Sequence, residues 1–266
     1  MKKYLTVFQL SFQNEFTYRL NFILWRVRNV LRILMVFFWW NSVFLQNKLA
    51  FGYDKQQMMA YVFLVLIVNT FVMSAPSNDN VGGQISNGDL SNFLVKPINY
   101  LHYWLTRDWA SKLLNILFAV GEIFILYVLL KPQISISGSP EFLVFGAIAA
   151  ILAALSYFYL TKIAIFAAFW APEHTWGLMF VFLVLYEVLS GGIFPLDILP
   201  SNIFLLLKFT PFPYLVYFPI KIFIGNIALN EIYTFILGSV IWLIILKVVS
   251  NKLWNKGLKV YSSAGN

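Results

Sequence analysis

The sequence predicts an all-α integral membrane protein with six transmembrane helices, an N-terminal amphipathic interfacial helix, and a broken re-entrant segment between spans five and six. Three observations carry that expectation. Hydrophobic residues fill 60% of the 266 positions and charged residues only 11%, for a mean hydropathy of +0.75. A soluble domain is about a quarter charged, so this chain lacks the polar surface needed to dissolve itself. The apolar residues fall into runs of about 18–24, each long enough at 1.5 Å per residue to cross a hydrocarbon core of about 30 Å. The net charge of +8 comes from basic residues that flank those runs instead of forming one stripe. That distribution reads as membrane topology and not as a nucleic-acid surface.

The elements follow in chain order. The opening "MKKYLTVFQLSFQNEFTYRL" mixes charged and polar groups throughout, so no cleavable signal peptide is expected. Leu5, Phe8, Phe12, Phe16 and Leu20 recur at helical spacing, opposite Lys2, Lys3, Gln9, Gln13 and Asn14. This is the pattern of an amphipathic helix, over residues 1–21, lying among lipid headgroups. Span one covers about residues 22–46. Its start carries Arg26, Arg28 and Arg32, which can snorkel into headgroups, and its end carries Trp39 and Trp40. Span two covers about 56–77, and span three about 113–130, broken only by Glu122. Span four covers about 142–161, with helix expected to continue toward Trp170. Span five covers about 175–194 and holds Glu187; span six covers about 232–249.

Basic residues set the orientation. One side holds Lys2, Lys3, Arg19, Arg26, Arg28, Arg32, Lys96, Arg107, Lys112, Lys247, Lys252, Lys256 and Lys259. The other holds Lys48, Lys55, Lys131, Lys208 and Lys221. The richer side is expected in the cytoplasm, together with both termini. Between spans five and six, residues 191–225 carry half of the ten prolines, at 195, 200, 211, 213 and 219. That stretch is too apolar for an exposed loop and too broken for one spanning helix. Short helices dipping back from the outer surface are expected there, buried in protein or lining a cavity. No repeat or low-complexity tract divides the chain, which reads as a single domain over residues 1–266.

Catalytic signatures are absent from the sequence. With no cysteine, disulfides, thiolate metal sites and cysteine nucleophiles are excluded. There is no phosphate loop, because Gly82–Gly83 and Gly191–Gly192 lack both the spacing and the lysine. No nucleophile elbow and no H-E-x-x-H pair occurs. The two histidines are His102 and His174, and Glu173–His174 are adjacent, so they do not share a helix face. No catalytic residue and no metal ligand is assigned. Glu122 and Glu187 lie inside expected spans, where a charge costs several kcal/mol unless it is paired, protonated or wetted. They are candidates for a substrate path or proton relay, or else for carboxyls packed between helices.

One polar stretch stands out between apolar runs, "GGQISNGDLSNFLVKPINY" at 82–100. Turns at Gly82–Gly83 and Asn87–Gly88, with Pro97 as a stop, leave a short helix from Asp89 to Val95. Asp89 is placed as its N-cap, and Leu90, Phe93 and Leu94 share one face. That face can enter a groove on a partner, or rest on lipid or on the chain's own cytoplasmic ends. Both readings stay open on composition alone.

At these residues the sequence resembles the permease subunits of ABC-2 type ABC exporters. The first likeness is Ile85, then Gly88–Asp89–Leu90, then Leu94–Val95–Lys96–Pro97, with one residue between Leu94 and Lys96. The second is "SGGIFPLDILP", where Gly191 and Gly192 precede Pro195 and Pro200. The third is the tail, with Gly257, Tyr261 and Gly265. The resemblance implies a permease dimer, homo- or heterodimeric, docked on two ABC ATPase subunits that carry ATP and Mg; no cofactor is expected on this chain. It implies a cytoplasmic coupling loop at 78–111, with Ile85, Gly88, Asp89, Leu90, Phe93, Leu94, Lys96 and Pro97 facing the ATPase. It implies an outer re-entrant gate at 195–225, with Glu187, Gly191, Gly192, Pro195 and Pro200 on the path or gate. The expected location is a bacterial-type cytoplasmic membrane, with lipid and not nucleic acid as surroundings. The alternative is an ion- or proton-coupled secondary transporter using Glu122 and Glu187. It is disfavoured because only the second half of the chain is broken by prolines.

Overall fold

The computed structural model describes residues 2–17, 19–46, 48–73, 81–134, 136, 139–225 and 227–261. Among the described residues, each apolar run contains a helix. Four are long and apolar enough to cross a membrane: α3 (Lys55–Met73), α6 (Tyr100–Leu130), α7 (Pro140–Phe166, prolonged by a 3-10 turn to Phe169) and α11 (Leu229–Val260). The remaining helices are α1 (Lys2–Thr17), α2 (Arg19–Val43), α4 (Val81–Ser86), α5 (Leu90–Leu94), α8 (Thr175–Leu189), α9 (Ser201–Lys208) and α10 (Tyr217–Ile224). With these long apolar helices, the chain is an all-α, multi-pass membrane protein. One small addition escaped the sequence reading, an antiparallel hairpin of β1 (Leu49–Ala50) and β2 (Tyr53–Asp54) between α2 and α3. Its turn places Phe51 at φ 55° and Gly52 at φ 81°. Phe51 pays for the left-handed conformation with an edge contact to the Trp40 ring at 6.3 Å.

Helix ends differ from expectation for local reasons. α6 starts at Tyr100 instead of near residue 113, because the Asn99 side chain accepts the His102 N–H at 3.0 Å and nucleates the first turn. Residues 100–111, expected within the coupling loop, are therefore helix. Asp108 and Lys112, one turn apart, pair at 3.1 Å, and Lys112 Nζ donates to the Val72 carbonyl at 3.0 Å. That carbonyl lies in the last turn of α3, where a cation meets the negative end of the helix dipole. α8 stops at Leu189, short of residue 194, where Gly191 at φ 87° turns the chain. A side chain at Gly191 would meet the Tyr61 hydroxyl at 2.8 Å and Tyr217 Cβ at 2.9 Å, so close approach as well as φ demands glycine there.

The core centres on α3, which packs against α2, α6, α7 and α10. The expected broken segment takes the form of short helices: a 3-10 turn at Leu196–Ile198, α9, a second 3-10 turn at Phe212–Tyr214, and α10. α10 is nearly all buried against α7 and α3. Pro219 fits it because the first-turn N–H groups have no partner within the helix. A second core lies at the opposite end of the bundle, where α4, α5, the start of α6, the end of α7 and the end of α11 meet. α1 lies along α6. Phe8 and Phe12 are half-buried, whereas Leu5 is 60% exposed; the side chains of Phe16 and Leu20 lie outside the described residues.

Candidate functional site

The second core builds one candidate site around α5. Leu90 is fully buried, against Ile85, Tyr100 and Trp104 of the same cluster. Phe93 stands edge-on to Tyr100 and to Tyr103, each at 4.9 Å. The apolar face of α5 therefore rests on the chain's own elements. This corrects the reading in which Leu90, Phe93 and Leu94 together enter a partner's groove. Asp89 is exposed and makes no capping hydrogen bond, because it sits in right-handed helical backbone instead of the extended form a cap needs. The outward surface is made by Asp89, Asn92, Leu94, Val95, Lys96 and Pro97. Leu94 is 44% and Val95 85% exposed.

This tip is tied to three other parts of the chain. Tyr261, just past α11, donates its hydroxyl to the Gly88 carbonyl at 2.5 Å and accepts the Ser91 N–H at 3.1 Å. Gly88, buried at φ 81°, makes the turn that exposes this carbonyl to Tyr261. Lys3 of α1 donates to the Pro97 carbonyl at 2.7 Å. Trp254 stacks on Tyr100 at 4.3 Å. A side chain at Gly257 would meet the Phe169 ring at 2.1 Å, so α11 needs glycine there to close on the end of α7. These contacts give Gly257 and Tyr261 a physical purpose that spacing alone did not supply; Gly265 lies outside the described residues. Tyr261→Phe should lower stability by about 1–2 kcal/mol and speed hydrogen exchange at the Ser91 amide. Exchange at the wild-type rate would mean that the tether is not made.

Glu122 and Glu187, the carboxyls expected inside spans, are both paired, and with arginines of α2. Arg26 holds Glu122 of α6 through two bonds of 2.5 Å and donates to Asn115 Oδ1 at 3.2 Å. Arg32 donates to Glu187 Oε1 at 2.6 Å and to the Gly192 carbonyl at 3.1 Å. Arg26 and Arg32 were expected to snorkel; they reach across to other helices instead, because a charge in an apolar bundle is cheaper paired. The Glu187 pair touches the Gly191–Gly192 turn, whose buried Gly191 carbonyl accepts the Tyr61 hydroxyl at 2.6 Å. Pro195 is buried at the start of the following turn, and the exposed Pro200 opens α9. Glu187, Gly191, Gly192 and Pro195 thus form one neighbourhood, with Pro200 at its rim.

Residues 30–265 match the ABC-2 family transporter protein family. The chain belongs to the ABC-2 transporter family. Comparison with curated proteins and with solved structures gives no match. An ABC-2 permease is a membrane transport component, not itself catalytic, and the family typically pairs with ABC ATPases. Among the described residues of this permease, no group of three His, Asp or Glu side chains gathers as a metal site would.

The sequence reading of this ABC-2 permease missed a polar knot at the hairpin end. Tyr53 donates to Asp197 at 2.7–2.8 Å, and Lys221 reaches both the Tyr53 oxygen and Asp197 at 3.0 Å. It ties β2 to the broken segment and to α10. Burial and the neighbouring Asp197 carboxylate push the Tyr53 hydroxyl well above its ordinary pKa, so it stays a donor. No spacing rule links positions 53, 197 and 221, and only the fold brings them together.

Proposed function

We propose that this chain is the permease subunit of an ATP-driven ABC exporter, forming half of a translocation pathway with a second copy or a related permease. The tip after α5 is its coupling element, docking on a separate ATPase subunit that binds ATP and Mg. The observation that carries this reading is the asymmetry of α5, with Leu90 buried and Leu94 and Val95 exposed. An apolar tip anchored by Gly88, Tyr100, Pro97 and Tyr261 can pass a push into α1, α6 and α11 without folding away. The family membership supports the same partner class.

In this account α2 and α8 complete six spans. α2, with 25 residues, reaches about 37 Å, and α8, with 15, reaches about 22 Å before the Gly191 turn. The α5 end faces the cytoplasm with both termini, as the basic residues favour. α1 lies at the headgroups, and residues 195–225 are the outer gate. A proton-coupled mechanism would need a carboxyl that opens to solvent and recharges in each cycle. Glu122 and Glu187 are instead held by guanidinium forks.

The test is to purify the chain from its native membrane in mild detergent and assay the preparation for ATP hydrolysis. A co-purifying ATPase is expected. A folded, correctly inserted chain that transports on a proton gradient and carries no ATPase would overturn the reading.

A further inference from the structure

The end of α11 carries a charge pattern that the exporter reading does not use. Four lysines lie between positions 247 and 259, and no Asp or Glu follows Glu231 in the chain. Lys252, Lys256 and Lys259 recur at steps of four and three, so they share one helix face, and all three are exposed. None of them pairs with a carboxylate among the described residues. The same steps carry this face back through Val248, Ile245, Ile241 and Leu237, all exposed apolar side chains. The opposite face holds the buried Ser239, Leu246, Ser250 and Gly257, and α11 packs chiefly on α7. One exposed stripe thus runs from apolar to basic along the helix.

Neither topology nor helix electrostatics asks for that stripe. The positive-inside rule needs lysines on one side of the membrane, not on one face of a helix. The helix dipole favours a cation in the last turn alone, which accounts for Lys259 but not for Lys252 or Lys256. Like charges four apart repel, so the pair weakens the helix until an anion lies against it. The dimensions match a lipid. From Leu237 to Val248 the stripe rises about 16 Å, and from Lys252 to Lys259 about 10 Å. The first length is one leaflet of a hydrocarbon core of about 30 Å, and the second reaches through the headgroup layer. We infer that this stripe seats an anionic phospholipid of the cytoplasmic leaflet, with an acyl chain along Leu237 to Val248 and its phosphodiester on Lys252 and Lys256. The assignment rests on the orientation proposed above, in which α11 ends in the cytoplasm. Trp254 and Tyr261 of the same end tie to Tyr100 and Gly88, so a lipid held here lies against the helix that braces the α5 tip.

The test reads lipid at the stripe itself. Asn255→Cys, exposed beside Lys252 and Lys256 in a chain otherwise free of cysteine, carries a fluorophore on the purified full chain in phosphatidylcholine nanodiscs. Spin-labelled phosphatidylglycerol and spin-labelled phosphatidylcholine are then compared as quenchers at equal mole fraction. Phosphatidylglycerol is expected to quench at about a tenfold lower mole fraction, since each lysine near an anionic surface favours it about fivefold. Changing Lys252, Lys256 and Lys259 together to Gln should erase that preference, and changing all three to Arg should keep it. Equal quenching by the two lipids, or an unchanged preference in the Gln variant, overturns the assignment. So does a label shielded from both lipids in a dimeric preparation, which would give the face to a second copy. The measurement needs no ATPase. A lysine-dependent preference in a chain that never carries an ATPase would uphold the site and sink the exporter reading. An ATPase travelling with a chain that lacks the preference would do the reverse.

Discussion

Glu122→Ala is expected to destabilise the chain by about 3–5 kcal/mol, the range for breaking a buried ion pair by removing one partner. The side chains of Arg26 and Glu122 are only 7% and 15% exposed, and the two short bonds between them use both carboxylate oxygens. The variant leaves a guanidinium with Asn115 as its remaining partner, in a surface otherwise lined by Ile23, Val27, Val30, Leu31 and Phe118. Arg26→Met alone should be comparably harmful, because it strands the carboxylate. Combining Arg26→Met with Glu122→Met should recover most of the loss, since a matched apolar pair replaces a matched charged one. Unfolding in detergent, run as a double-mutant cycle, reads the coupling directly. A single variant as stable as the wild type would mean that the pair is wet. The Arg32–Glu187 pair is more open, at 20% and 25% exposed. Glu187→Gln should therefore change stability less and transport more.

The second large effect concerns the tip. Changing Leu94 and Val95 together to Asp should abolish stimulation of the partner ATPase while moving stability by only about 0.5 kcal/mol, because both side chains already face outward. Leu90→Asp offers the contrast. It puts a carboxylate into a site with no exposure, at a cost of several kcal/mol, and should cost the fold before it costs coupling. Full stimulation in the Leu94/Val95 variant would remove the tip from the interface. Loss of coupling with loss of fold in that variant would show that these side chains serve packing.

Much of the fold was legible because helix-length apolar runs leave a chain few alternatives in a membrane. Four of the runs become helices long and apolar enough to cross a membrane, and the proline-rich stretch is a chain of short helices. The boundaries were less legible. The start of α6 was expected in a loop because composition cannot tell an exposed charge from one paired a turn away, as Asp108 and Lys112 are. Of the candidate site, turn chemistry and family likeness pointed to Gly88, Leu94 and Pro97, which the structure places at a positive-φ turn and on the exposed tip. The inward turn of Leu90 could not be read from them, since the same amphipathic pattern serves a partner's groove or the chain's own Tyr100. The partners of Glu122 and Glu187 were in view as Arg26 and Arg32. Pairing them requires knowing that side chains of α2 reach both α6 and α8, and no periodicity carries that. The link from Tyr261 to Gly88 joins residues at opposite ends of the chain, and it emerges only from packing.

The most direct test of the central claim uses the absence of cysteine from the chain. A single Val95→Cys, at a position 85% exposed, is combined with a short bifunctional thiol–amine crosslinker in membranes that contain the whole transporter. Lys48→Cys, at the opposite end of the bundle, is the control. The account predicts a crosslink from position 95 to a polypeptide that binds ATP, with none from position 48, and reaction at 95 only when reagent reaches the cytoplasmic side. A Val95→Cys chain that reacts from outside the cell, or that reacts fully yet never captures an ATP-binding partner, would contradict it.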